Sequence, residues 1–201
     1  MPLYRVLRFI SFLLCKLFFH FEVFGKERIP RKGGFIIVSN HASFLDPVIL
    51  GISCPRLLSY AARDSLFSGA FFADLLRRIG VFPIKRWSAD LSAVRESARR
   101  LNGGFGLVIF PEGTRSASGD IQSVTRGFVL LAQKARVPII PARIFGSHKA
   151  WPKSRRIFRP AKVRVLFLEP VYSQKDKDYN RTAREVFDRI KNSSIDKRGY
   201  L

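Results

Sequence analysis

The chain has 201 residues, 47% of them hydrophobic, which is enough for one domain with a sizeable apolar core. It carries 36 Lys and Arg residues against 15 Asp and Glu residues, so its net charge is +21. Such a surplus attracts anionic partners: phosphates, nucleic acid, acidic proteins or an anionic lipid surface. The 19 Phe residues favour apolar burial or lipid contact over base stacking.

The N-terminal segment PLYRVLRFISFLLCKLFFHF is the one stretch that looks directed to a membrane. A transmembrane helix needs about 20 apolar residues, whereas Arg5, Arg8 and Lys16 interrupt this segment. It has no small-residue cleavage site, so a secretory signal is not expected. We predict an interfacial helix over residues 1–19, with its basic residues toward lipid headgroups. The alternatives are a helix packed on the protein's own core and a tilted or re-entrant insertion.

Apolar runs and amphipathic periodicity then alternate along the chain. They predict strands at residues 18–24, 35–39, 57–61, 81–85, 106–110, 137–145 and 162–170. They predict helices at residues 47–53, 64–80, 125–135 and 179–191, and a further helix capped by Ser88 and ended by Gly103. Pro141 would place its strand near an edge of the sheet or make it irregular. We therefore predict an α/β fold: a single domain with a central mixed, largely parallel sheet flanked by helices, plus the N-terminal interfacial helix.

The motif SNHASFLDP follows the predicted buried strand at 35–39. Asp46 has the form of a helix N-cap and Pro47 that of the first helical residue, which leaves His41 in the preceding loop. There the loop can bring the carboxylate to the imidazole, fix its tautomer and leave the other ring nitrogen as a general base. In the alternative, which the motif alone favours, Asp46 is a plain cap and His41 a loop residue.

No serine or cysteine in the motif has the setting of a nucleophile. Ser39 and Ser43 are close in sequence, but neither lies on a G-x-S-x-G elbow. Cys15 and Cys54 lie in apolar sequence, with neither metal-site spacing nor a disulfide framework. We therefore expect a base that activates a substrate hydroxyl directly, no metal site, and a reducing cytosolic environment.

A second polar loop, FPEGTRS at residues 110–116, follows another predicted buried strand. Ligands gather at the carboxyl ends of strands in open α/β sheets. The N–H groups of a glycine turn and the guanidinium of Arg115 suit a phosphate, and Glu112 would orient Arg115 or accept a hydrogen bond from substrate. The alternative is a turn with a surface ion pair of little energetic value. Lys85 and Arg86 form a third cationic point after a short strand, or else a solvated charge pair.

Together these residues resemble the PlsC-type 1-acylglycerol-3-phosphate O-acyltransferase family over about residues 20–170. Its four sequence blocks occur here in order, with Pro83 in the second block where an aromatic residue is usual. The matches are Asn40, His41 and Asp46; Gly80 and Arg86; residues 110–116; and Val137, Pro138, Ile139 and Pro141. The family often has a Lys before a Gly downstream of the third block, where this chain has Arg126 and Gly127.

The resemblance implies that His41, oriented by Asp46, takes the proton from the sn-2 hydroxyl of lysophosphatidate. The hydroxyl would attack an acyl thioester of coenzyme A or acyl carrier protein without an acyl-enzyme, giving phosphatidic acid. The implied substrate-binding residues are Asn40, Arg86, Glu112, Gly113, Thr114 and Arg115. Arg126 would be an additional contact for the phosphate or the donor. No tightly bound cofactor and no nucleic acid are implied.

The resemblance also implies an organisation of the chain: a membrane-associated helix at 1–19, an acyltransferase domain at 20–195 and a polar tail at 196–201. The N-terminal region is short for the family, with room for one helix rather than two. The protein would bind the cytoplasmic face of a membrane. No Asp or Glu occurs between Asp120 and Glu169, so this basic strip could meet anionic lipid headgroups or the acyl carrier protein, with Trp151 at the interface. A generally basic surface is the alternative.

Three other functions stay open on the sequence. The acceptor could be a sibling substrate, such as glycerol-3-phosphate or another lysophospholipid, or the reaction a transacylation. A non-catalytic lipid-binding relative would not need the intact pair of His41 and Asp46. A nucleic-acid-binding module would explain the charge, but no helix-turn-helix, zinc-finger or RNA-recognition signature is evident.

Overall fold

The structure, a computed structural model, describes residues 2–84, 90–116, 121, 126–152, 154–155, 157–173, 178–196 and 199–200. The helices are α1 (Pro2–Phe19), α2 (Asp46–Ser53), α3 (Ala70–Arg78), α4 (Leu91–Asn102), α5 (Gly127–Ala135), α6 (Ser147–Ala150) and α7 (Tyr179–Asn192). The strands are β1 (Glu22–Phe24), β2 (Phe35–Ser39), β3 (Leu58–Arg63), β4 (Val81–Ile84), β5 (Gly106–Ile109), β6 (Ile139–Phe145), β7 (Arg164–Phe167), β8 (Ile195–Asp196) and β9 (Gly199–Tyr200). Two short 3₁₀ helices cover Lys26–Arg28 and Asp64–Phe67.

Seven strands form one sheet in the order β1-β7-β6-β2-β5-β3-β4. All neighbouring strands pair in parallel except β6 and β7, so β1 and β7 run against the other five. The predicted mixed, largely parallel sheet of a single α/β domain is therefore confirmed. Strands β8 and β9 form a second, two-stranded antiparallel sheet.

The sheet separates two apolar layers, and β2 contributes to both because successive side chains point to opposite faces. Phe35 and Ile37 pack with α1 and α2 on one face, whereas Ile36 and Val38 pack with α4, α5 and α7 on the other. Every residue of β2 is buried, as its continuous apolar run predicts. Gly106 lets β5 lie against β2, since a Cβ there would come within 2.4 Å of the Phe35 ring.

The register of β2 and β5 sets the place of the functional loops. The two strands are adjacent and parallel, with Val38 opposite Ile109, so both end at the same edge of the sheet. The two polar loops predicted from the sequence, residues 40–45 and 110–116, therefore leave the sheet side by side. β6 lies on the other side of β2 and ends at the same edge.

The edge position predicted for Pro141 was wrong, because β6 lies in the interior of the sheet, between β2 and β7. The Pro141 carbonyl accepts a hydrogen bond from the Leu168 N–H at 2.8 Å, just beyond the end of β7. The regular β6–β7 pairing stops at Ala142 and Phe167, and an isolated bridge joins Ile139 to Val171, so the pairing is irregular at Pro141, as the second alternative supposed.

Several predicted element boundaries also differ. The stretch 64–80 is broken before Gly69, whose extended backbone separates a 3₁₀ turn from α3. The cap of α4 is Asp90, which accepts a hydrogen bond from the Ala93 N–H, rather than Ser88. The predicted strand at 18–24 is shorter, because α1 continues to Phe19.

Helix α1 lies along α2 with one face buried and the other exposed. Tyr4, Cys15 and Phe19 are buried, so the helix does pack on the core, as the alternative to the anchor supposed. Its opposite face exposes seven large apolar side chains: Val6, Leu7, Phe9, Ile10, Leu13, Leu14 and Leu17. Among the helices in the described part of the chain, none is long and apolar enough to cross a membrane.

Candidate active site

His41 and Asp46 meet at the edge where β2 ends. The His41 Nδ1 lies 2.9 Å from Asp46 Oδ2, so the spacing of five residues closes into a hydrogen bond as predicted. The Asp46 side chain is fully buried, whereas 19% of the His41 side chain is exposed. A buried carboxylate on one ring nitrogen favours the tautomer that leaves the other nitrogen unprotonated.

The Asp46 carboxylate does not cap α2, which corrects the prediction from the sequence. Asp46 is itself the first residue of the helix, and its Oδ2 turns back to accept the N–H groups of Ala42 and Ser43, each at 2.7 Å. Together with the His41 ring, three donors thus converge on one oxygen. Within the described residues, Asp46 Oδ1 is buried and has no hydrogen-bond partner. The carboxylate therefore holds the whole loop 41–43 around itself.

Two aromatic rings support the site, and the sequence reasoning missed both. Phe110 stacks on the His41 ring, with the centroids 4.2 Å apart and the planes 21° apart. Phe44 lies beneath the Arg115 guanidinium, 3.5 Å from its central carbon. Both aromatics stand inside the quoted motifs, but sequence spacing alone does not indicate which ring faces which partner. They restrict the orientations of the imidazole and of the guanidinium.

Two hydrogen bonds join the loop after β2 to the loop after β5. The His41 N–H donates to Glu112 Oε1 at 3.1 Å, and the Ser116 N–H donates to the His41 carbonyl at 2.7 Å. Glu112 is half-buried, and its orientation of Arg115 stays a prediction. The two loops are therefore tied together on both sides of the His41 backbone.

The FPEGTRS turn places one cation next to the His41 loop. Gly113 has a left-handed backbone with φ 66°, which favours glycine, and its N–H donates to the Phe110 carbonyl. That N–H is therefore used within the turn, although the prediction left it for a phosphate. Gly113 and Thr114 are exposed, and Arg115 is half-buried against Phe44.

Asn40 is a structural link between β2 and β6. Its Nδ2 donates to the Ile144 carbonyl at 2.9 Å, and its Oδ1 accepts the Ile144 N–H at 2.8 Å. The residue is 1% exposed. This paired contact holds the end of β2 and so the start of the His41 loop, which gives Asn40 a positioning role rather than the predicted substrate contact.

Tyr60 supports the first turn of α2 and was not singled out from the sequence. Its hydroxyl donates to the Pro47 carbonyl at 2.9 Å, next to Asp46. Burial raises the pKa of Tyr60 well above its ordinary value, so the phenol stays neutral and keeps its proton for this bond.

Two predicted cationic contacts, Arg86 and Arg126, remain. Arg86 lies outside the described residues. Arg126 is exposed, directly before α5, and its part in binding stays a prediction. In the part of the chain that the structure describes, no three His, Cys, Asp or Glu residues are grouped as metal ligands.

Comparison with known proteins identifies the family to which the chain is similar. The family model described as Acyltransferase matches residues 20–145. A 1-acyl-sn-glycerol-3-phosphate acyltransferase of Bacillus subtilis is 30% identical over 75% of this chain and 73% of its own length. The mouse enzyme of that name, form alpha, is 33% identical over 76% of this chain and 55% of its own length.

A solved structure agrees with the sequence comparisons. The crystal structure of the 1-acyl-sn-glycerophosphate acyltransferase PlsC from Thermotoga maritima superposes with a TM-score of 0.82 at 26% identity. The match covers 94% of this chain and 76% of the Thermotoga chain. The resemblance drawn from the four sequence blocks is thus confirmed, and the chain belongs to the acyltransferase family.

Proposed function

We propose that the protein transfers a fatty acyl chain from an acyl thioester to the sn-2 hydroxyl of 1-acylglycerol-3-phosphate, giving phosphatidic acid. The observation that carries the proposal is the 2.9 Å hydrogen bond between His41 Nδ1 and Asp46 Oδ2, next to a loop that holds a cation. The names of the Bacillus, mouse and Thermotoga relatives support this choice of acceptor.

In this mechanism His41 is the general base. Asp46 accepts a hydrogen bond from the Nδ1–H group, which leaves Nε2 unprotonated. Nε2 then takes the proton of the sn-2 hydroxyl as the hydroxyl oxygen attacks the thioester carbonyl. The C–O bond forms, the C–S bond breaks, and the imidazolium returns its proton to the leaving thiolate. Asp46 also stabilises the imidazolium formed between these steps. The stacked Phe110 ring holds the imidazole in the plane that this transfer needs.

Arg115 is the proposed phosphate ligand among the described residues. A guanidinium presents its donors in one plane and pairs with two phosphate oxygens at once. The Phe44 ring, 3.5 Å below, restricts the orientation of that plane. Arg86 and Arg126 are proposed as further cationic contacts, and Gly113 and Thr114 as the exposed rim of the same turn.

The exposed face of α1 supports association with a membrane. Seven apolar side chains lie on that face, and Arg5, Arg8 and Lys16 provide cations on the same helix. Such a helix suits an anionic bilayer interface. We place the protein on the cytoplasmic face, where both proposed thioester donors occur. Coenzyme A and acyl carrier protein thioesters supply the same reacting group, so no tightly bound cofactor is needed.

A crossed assay in detergent micelles tests the proposal. Acyl-coenzyme A and acyl-acyl carrier protein are each offered with lysophosphatidate or with glycerol-3-phosphate, and acylated product is measured. We expect acylation of lysophosphatidate with at least one donor. Acylation of glycerol-3-phosphate alone would overturn the acceptor and favour the sibling substrate. Failure of every combination by folded protein would overturn the activity.

A further inference from the structure

Residues 151–162, here called the basic loop, present apolar side chains to solvent between α6 and β7. Ile157 is 76% exposed and Phe158 is 41% exposed. Exposed large apolar groups that adjoin one another mark a surface that another phase or partner covers.

Hydrogen bonds fix the shape of the basic loop. The Arg159 N–H donates to the Ala150 carbonyl at 2.9 Å, and Arg159 Nε donates to the Lys149 carbonyl at 2.7 Å. The indole of Trp151 donates to the Arg155 carbonyl at 3.1 Å. Arg159 is thus held against the end of α6, and Ile157 and Phe158 directly precede this anchored residue.

The apolar side of the basic loop continues into α1. The ring of Phe158 lies 5.5 Å from that of Phe18 and 5.8 Å from that of Phe19, measured between centroids. These contacts attach the loop to the end of the helix whose outer face exposes Phe9 and Leu17. The two exposed apolar surfaces therefore form one continuous surface.

The same row of rings leads to the candidate active site. Trp151 lies 6.1 Å from Phe158 on one side and 5.5 Å from Phe44 on the other. The guanidinium of Arg115 stacks on the Phe44 ring. A ligand resting on the basic loop would thus have the proposed phosphate contact at one end of an unbroken aromatic row.

The charge of the basic loop favours an anionic lipid surface as its occupant. Arg155 and Arg159 of the loop and Lys149 just before it are exposed, and the sequence has no Asp or Glu between Asp120 and Glu169. A cationic rim binds anionic headgroups while an apolar tip enters the acyl region below them. An acidic carrier protein would pair with the cations but would leave the exposed Ile157 without a matching environment.

We propose that the basic loop is a second membrane contact, in which Ile157 and Phe158 enter an anionic bilayer beside α1. The loop and α1 then lie on the bilayer together, with the stacked pair of Phe44 and Arg115 on the side of the site next to the lipid surface. The purpose of this arrangement rests on the proposed function: a lysophospholipid acceptor would pass from the bilayer to His41 along the aromatic row.

Vesicle binding of single variants tests the proposal. The variant I157D should bind vesicles of phosphatidylglycerol and phosphatidylcholine about tenfold more weakly than the wild type. It removes an apolar side chain that the bilayer would bury and adds a negative charge. The matched control is L130D, because Leu130 is 50% exposed on α5, in the opposite layer. Equal losses in both variants, or no loss in I157D, would overturn the proposal.

A fluorescent label gives a second measurement that is independent of affinity. The native thiols of Cys15 and Cys54 are buried, so I157C and L130C can be labelled selectively with an environment-sensitive dye. We expect a blue shift for I157C, and none for L130C, on anionic vesicles. A shift with acyl carrier protein and none with vesicles would assign the basic loop to protein docking and overturn the proposal.

The outcome can be separated from that of the proposed function. With lysophosphatidate of short chain length, dissolved as monomers, I157D should keep the turnover of the wild type, because no bilayer is involved. A blue shift of labelled I157C on vesicles, together with no acylation of lysophosphatidate by the wild type, would retain the membrane contact and refute the activity.

Discussion

The backbone N–H of His41 donates a hydrogen bond to Glu112 Oε1 across 3.1 Å, which joins the loops at the ends of two neighbouring strands. The bond is made by the main chain, so it fixes the position of the His41 backbone and does not act on the ring nitrogens directly. Since Val38 and Ile109 are register partners in β2 and β5, the sheet brings the loops together and Glu112 fixes their final spacing. Glu112 is thus a positioning residue, whatever its second oxygen binds.

Substitutions at Glu112 should separate positioning from substrate binding. The variant E112Q keeps an oxygen that accepts the His41 N–H, so its kcat should stay within about threefold of the wild type. E112A leaves that donor unmatched, at a cost of about 1–3 kcal/mol, and should lower kcat about tenfold or more. Steady-state kinetics measure both. A rise in KM alone, equal in both variants, would instead indicate a contact of the carboxylate with substrate.

Removal of the His41 imidazole should abolish turnover while the fold persists. A general base contributes about 10²–10⁴-fold, so H41N should lose at least about two orders of magnitude in kcat. The matched control is H20N, because His20 is exposed in the loop after α1 and its left-handed backbone, φ 42°, tolerates asparagine. Circular dichroism checks the fold of both. Turnover in H41N close to that in H20N would refute the assignment of the base.

Asp46 variants should distinguish the charge from the hydrogen bonds. D46N keeps an oxygen for the N–H groups of Ala42 and Ser43 but loses the charge that stabilises the imidazolium, so kcat should fall strongly with only a small loss of stability. D46A also leaves those two N–H groups without an acceptor. It should lower the free energy of unfolding by several kcal/mol, at about 1–3 kcal/mol for each unpaired donor.

The control for Asp46 is D90A, which removes the N-cap of α4. It should lower the free energy of unfolding by about 1 kcal/mol and leave kcat unchanged. Urea titration and initial rates measure the two effects. If D46N kept the wild-type kcat, the orienting role of Asp46 would be lost, whatever the stability of D46A.

Sequence patterns predicted the sheet and the pairing at its edge, because each rests on local composition. The apolar runs of β2 and β5 indicate buried parallel strands, and parallel neighbours must end at one edge. The contacts within the site depend instead on tertiary geometry. Asp46 looks like a cap, yet its carboxylate turns to the three donors of the loop before it. Asn40 looks like a ligand, yet it pairs with the Ile144 backbone, 104 residues away.

Loss of the Arg115 guanidinium should weaken acceptor binding. The variant R115A removes charge-assisted hydrogen bonds to the phosphate, so KM for lysophosphatidate should rise about 10–100-fold with a smaller change in kcat. R115K keeps the charge but not the planar fork stacked on Phe44, and should lie between R115A and the wild type. The control R99A removes an exposed guanidinium from α4 and should change neither constant. Unchanged KM in R115A would refute the phosphate contact.

The buried thiols should make the protein lose stability at alkaline pH. Burial raises the pKa of Cys15 and of Cys54 from 9.0 to about 11, and it also raises the pKa of Tyr4 and Tyr60. The folded state therefore holds these protons more tightly than the unfolded state. Their contribution to stability is complete below pH 9 and is lost as the pH rises through about 11. Urea unfolding at a series of pH values should show the free energy of unfolding falling over this interval.

Thiol reactivity separates the cysteines from the tyrosines in this effect. At pH 8 a thiol with a pKa near 11 is ionised to about one part in a thousand, against about one part in ten for an ordinary cysteine. Cys15 and Cys54 are 4% and 0% exposed, so access is restricted as well. We expect a disulfide reagent to react slowly with both in the folded protein and rapidly in urea. Rapid reaction of Cys15 without denaturant would mean that α1 leaves the core readily, because this thiol lies on the packed face of that helix.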